Sequence, residues 1–148
     1  MKRSSARLTH AANGLVCISG LLYGGLRYGA RREGDFGPES HPLEDPLRSL
    51  HIICAPLLIW AVAAIWQEHI LPHLCGPATE RRTTGLVLVS TFAPMVLSAY
   101  LLQVSVGEAW RTLWLWLHLA SSLVWLATML VHLSLRATEP VDDGSGAP

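Results

Sequence analysis

Charge is what this sequence lacks. Of its 148 residues only 15% are charged, 11 of each sign, where a soluble domain carries about 25%. The deficit is concentrated. No Asp, Glu, Lys or Arg occurs in residues 8–26, 49–67, 83–107 or 112–135, stretches of 19, 19, 25 and 24 residues. A helix needs about 20 apolar residues to cross the hydrocarbon core of a bilayer. A soluble enzyme, a β-barrel and a nucleic-acid-binding module are all poor readings of that pattern. It predicts an all-α integral membrane protein, a four-helix bundle of four spans in lipid.

Cysteine chemistry is also missing. Cys17, Cys54 and Cys75 form no C-x-x-C pair and no C-x-x-C-H. Covalent c-type haem attachment and a thiolate zinc or iron–sulfur site are therefore unsupported, and the three read as small apolar filler. No internal repeat is visible, nor any catalytic nucleophile or acid–base pair in the spans.

The spans are expected at about residues 10–26, 47–69, 83–106 and 110–135, in a domain covering 1–138. A polar first loop contains Gly34, Gly37, Pro38, Pro42 and Pro46, which break any periodicity. Residues 139–148 read as a disordered tail. Lys2, Arg3 and Arg7 ahead of an apolar run resemble the start of a secretory signal peptide, but the run is long enough to span and is expected to be retained. With the N-terminus inside, Lys2, Arg3, Arg7, Arg81, Arg82 and Arg136 share the cytoplasmic side, against Arg27, Arg31, Arg32, Arg48 and Arg111 outside. The outer side is diluted by acids, so the expected topology is N-in and C-in. Pro56 and Pro94 interrupt the second and third spans, where a kink is expected unless neighbours re-satisfy the freed carbonyl. Trp66, Trp110 and Trp114 near span ends read as interfacial anchors.

Histidine is what the chain has in abundance: His10, His41, His51, His69, His73, His118 and His132. His41 falls in the first loop. The others lie in or beside the spans, where an ionisable residue is costly and is a functional candidate by default. His118 and His132 are 14 residues apart, which on a helix returns to within about 40° of the same direction and separates them by about 21 Å. Two stacked haems in a bundle require that arrangement, with each iron taking its second histidine from another helix. Depth selects the partners. His51 opens the second span and matches His118 near the outer surface. Two candidates match His132 near the inner surface, His10 and His69. His51 and His69 share a face on an ideal helix, but their 18-residue separation spans about 27 Å, a mismatch of about 6 Å with the fourth-span pair. His10 needs no such adjustment and begins a face with the small residues Gly14, Cys17 and Gly24. It is the preferred inner ligand, with His69 as the alternative.

The pattern resembles the di-haem cytochrome b subunits of membrane-anchored formate dehydrogenases, nickel–iron hydrogenases and related respiratory reductases. Four features carry the resemblance: Arg7, His10 and Asn13 at three-residue intervals in the first span; Arg48 and His51 opening the second; His118 early in the fourth; and His132 fourteen residues later. It covers about residues 7–136. The family usually has Trp directly after the first-span histidine, where this chain has Ala11.

The resemblance implies an outer b-type haem on His51 and His118 and an inner one on His10 and His132. It further implies electron transfer between quinone and a partner subunit carrying iron–sulfur or multihaem c-type centres, in a bacterial inner membrane. A quinone site would lie beside the inner haem, lined by His10, Asn13 and His132. Gln67, Glu68, His69 and His73 cluster at that end, either passing protons or simply hydrated among the headgroups. Arg48 and Arg111 outside, with Arg7 and Arg136 inside, either pair with haem propionates or snorkel to the interface. The competing expectation is a haem-free membrane anchor or assembly subunit whose histidines only cross-link helices.

Overall fold

The computed structural model describes residues 3–30, 32–34, 37–76 and 81–135. It is built from two helical units, Met1–Gly76 and Pro77–Pro148, each an antiparallel pair of long helices.

In the first unit, α1 (Arg3–Gly29) packs along α2 (Glu44–Ile65). The helices meet at three levels: Arg27 pairs with Glu44, His51 lies against Val16, Ser19 and Gly20, and the Thr9 hydroxyl reaches the Ala61 carbonyl at 3.5 Å. Thr9, Ala12, Asn13 and Ser19 are the buried positions of α1; they meet Cys54, Leu58, Ala61, Val62 and Ile65 of α2 across the seam. Small and hydroxyl side chains on one helix against aliphatic ones on the other allow the close approach that packs helices in lipid, where burial of apolar surface supplies no drive.

Between the two helices the chain forms a short antiparallel ribbon, β1 (Arg32–Gly34) with β2 (Gly37–Glu39), in the register Arg32 with Glu39 and Gly34 with Gly37. Gly37 has φ +114°, a conformation that glycine adopts without a steric cost. The first loop, expected to be irregular, is ordered at this point. Pro46 lies within the first turn of α2, where a missing N–H leaves no bond unmade.

The second helix does not stop before Pro72. A π-turn (Trp66–Ile70) follows α2 directly and leads into α3 (Leu71–Cys75), with Pro72 at its start. Proline has no N–H to bond four residues back, and its ring crowds that carbonyl. The wider i→i+5 turn just upstream accommodates the ring while the chain remains helical.

Arg27 and Glu44 close the loop end of this hairpin. The carboxylate side chain is 9% exposed, the guanidinium 41%, and the Glu44 hydrogen bond raises the Arg27 pKa above its ordinary value. Removing Glu44 leaves a cation that water can reach, whereas removing Arg27 strands a buried anion, eased by its place in the first turn of α2. Arg27→Ala is therefore expected to cost about 2 kcal/mol and Glu44→Ala about 1 kcal/mol. Thermal unfolding of the two variants in one detergent checks that order.

In the second unit, α4 (Arg82–Val104) packs along α5 (Glu108–Ser134). Leu88, Met95 and Ser98 face Ser121, Trp125 and Met129, with the Phe92 and Trp125 rings 5.4 Å apart. Both α2 and α4 remain α-helical through Pro56 and Pro94. Trp110 and Trp114 stack at 6.0 Å at the start of α5.

Among the described residues, three helical segments are long and apolar enough to cross a membrane: Glu44–Cys75, Arg82–Val104 and Glu108–Ser134. Their exposed surface is rich in large apolar side chains, among them Ile53, Leu57, Trp60, Leu97, Leu123 and Leu130, as expected of a multi-pass protein whose solvent is lipid. The helix α1 has the length, 27 residues, but is not among the three. Its charge-free stretch is interrupted by Thr9, His10, Asn13, Ser19 and several glycines.

Candidate functional site

The candidate site residues fall in both hairpins, and each hairpin organises its own. In the second, His118 and His132 both turn toward α4, so the shared face expected from their spacing is present on α5. The His118 Nδ1 lies 3.0 Å from the Met95 carbonyl. A carbonyl only accepts, so Nδ1 carries the proton. The His132 Nδ1 lies 2.7 Å from Thr84 Oγ1, which is itself 2.9 Å from the Arg81 carbonyl. The Thr84 hydroxyl has one proton. Both short contacts are bonded only if that proton goes to Arg81 and the hydroxyl oxygen accepts from His132. The Arg81 guanidinium in turn donates to the His132 carbonyl, a cation at a helix C-terminus, where the macrodipole favours one.

The first hairpin treats His51 alike. Its Nδ1 lies 3.1 Å from the Val16 carbonyl and 3.2 Å from Ser19 Oγ, so here too Nδ1 is the donor. The ring rests in a notch made by Gly20: a Cβ there would come within 2.8 Å of His51 Cε1. Gly14 and Gly24, on the small-residue face that begins at His10, stay clear of α2: a Cβ at either would meet nothing within 4 Å. Loop residue His41 has the opposite polarity; its Nδ1 accepts from the Leu43 N–H at 3.1 Å.

His10 is exposed on α1, although its neighbours Thr9, Ala12 and Asn13 are buried in the hairpin seam. Asn13 Oδ1 accepts from the Cys17 thiol at 3.9 Å. His69 lies inside the π-turn, its ring 4.8 Å from that of His73 in a T-shaped contact. Each residue of an i→i+5 turn advances by less than 100°. His69 therefore falls short of the direction that an unbroken α-helix would give it relative to His51. Among the arginines, Arg48 pairs with Asp45 at 3.0 Å, and Arg111 donates to the Ser105 carbonyl at 3.2 Å between α4 and α5. Arg7 is exposed. Arg136 and the tail 139–148 lie outside the described residues.

Among the described residues no group of three or more His, Cys, Asp or Glu side chains comes together; an iron bound by two imidazoles within a porphyrin needs none. Sequence reasoning did not single out Ser19, Gly20, Thr84 or Arg81 as partners of the histidines. No spacing rule marks them, because each acts across a hairpin rather than along a helix. No family model matches the chain, and comparisons with curated proteins and with solved structures find no match.

Proposed function

We propose that the chain is a membrane di-haem b-type cytochrome subunit. It passes electrons across a bacterial inner membrane between quinone and a redox subunit bearing iron–sulfur or multihaem c-type centres. His51 and His118 serve as outer ligands and His10 and His132 as inner ones, with a quinone site on the inner side. Bound haem supplies a one-electron iron couple within the bilayer.

One observation carries the reading. Three of the four proposed ligands donate from Nδ1 to an oxygen of the helix beside them. A neutral imidazole held so has its lone pair on Nε2, and ligating histidines are characteristically oriented by such a donor bond from the other ring nitrogen. The one loop histidine with a bonded Nδ1 has the reverse arrangement. His118 and His132 add the vertical spacing that two stacked cofactors require.

The same bonds also favour a second reading. Each ties two helices together, as expected of a haem-free anchor or assembly subunit, at about 0.6 kcal/mol apiece. Adding quinol to the purified, oxidised protein separates the readings. The expected result is a Soret band that shifts as the haem is reduced. A folded protein with no Soret band would favour the anchor, and a Soret band indifferent to quinol would remove the quinone role.

A further inference from the structure

The electron-carrier reading leaves open what selects the ring nitrogen that each histidine presents. A free neutral imidazole interconverts between two tautomers, and only one of them has its lone pair on Nε2. We propose that Thr84 is the positioning residue for His132: its hydroxyl accepts the Nδ1 proton, fixes the tautomer and ring plane, and makes Nε2 the ligating nitrogen. The inference rests on haem ligation for its purpose but not for its geometry.

The bonds form a closed ring between the start of α4 and the last turn of α5. The Thr84 hydroxyl donates to the Arg81 carbonyl, the His132 ring donates to Thr84, and the Arg81 guanidinium donates to the His132 carbonyl. Reversing the Thr84 proton would leave two oxygens facing each other at 2.9 Å with no hydrogen between them. The polarity is therefore set by backbone carbonyls, which cannot donate. A Cβ at Gly85, one residue on, would come 3.9 Å from His132 Cε1, so the ring lies beside the first turn of α4. His118 needs no such residue, because a backbone carbonyl performs the same task. That difference makes Thr84 testable by substitution while His118 serves as an internal control.

The test uses the full chain with 15N-labelled histidine, prepared without haem. Imidazole nitrogen spectra are expected to show the Nδ1–H form at His132 in the parent protein and in Thr84→Ser, and its loss in Thr84→Val, with His118 unchanged in all three. The Nε2–H form at His132 in the parent protein, or an Nδ1–H signal that survives Thr84→Val, would overturn the proposal. Hemin is then titrated into the same three proteins. Thr84→Val should weaken the binding of one equivalent about 10-fold or more, and Thr84→Ser should restore it. Equal hemin affinity in parent and Thr84→Val would also overturn the positioning role. If no protein binds hemin while the tautomer pattern holds, the haem reading fails and the orientation of His132 by Thr84 stands.

Discussion

His118→Ala and His132→Ala are each expected to purify with one haem per chain, and the double variant with none. The effect is large because a b-type haem has no covalent link to the chain and is held through the coordinate bonds of its axial histidines. Folding is not at stake to the same degree. Each substitution also removes an interhelical hydrogen bond, to Met95 or to Thr84, worth only about 0.6 kcal/mol in a membrane bundle. Helicity and detergent stability should therefore stay near those of the parent, while absorbance falls by half and then to nothing. Two haems retained in either single variant would show that α5 does not supply both ligands.

The second large effect separates His10 from His69. His10→Ala is expected to halve the haem content and His69→Ala to leave it at two per chain. On α1 the seam with α2 is filled by Thr9, Ala12 and Asn13, so His10 lies off the hairpin's own packing surface and its loss opens no cavity there. His69 sits in a π-turn, short of the direction that an unbroken α-helix would give it relative to His51, and it packs edge-on against His73. The reverse result, with haem lost on His69→Ala and retained on His10→Ala, would move the inner ligand to the second helix.

The helices were legible because lipid imposes a simple rule on sequence. Runs of 19 to 25 uncharged residues leave few alternatives to a buried or spanning helix, and all four expected segments are helical. Where the reading fell short, a local steric effect outweighed the pattern. The second span is expected to end near residue 69, yet a π-turn absorbs Pro72 and the helix continues to Cys75. The glycines and prolines of the first loop looked like breakers, yet Gly34 ends one short strand and Gly37 begins the strand paired with it. The first span looked equivalent to the others by charge alone, but its polar and glycine positions make α1 the least apolar of the long helices.

The candidate site was legible in part. The 14-residue interval placed His118 and His132 on one face, and both turn to α4. Their partners were hidden, since Thr84, Met95, Ser19 and Gly20 are ordinary helix residues until the hairpins close. Gly20 illustrates the limit: small residues at helical spacing permit close approach, and only the crossing point of the two helices decides which of them receives the His51 ring.

The most direct measurement of haem ligation is a pyridine haemochrome spectrum of the detergent-purified chain, set against its protein concentration. The expected result is b-type haem at two per chain. A well-folded preparation with none would contradict the electron-carrier reading and leave the histidines as cross-links between helices.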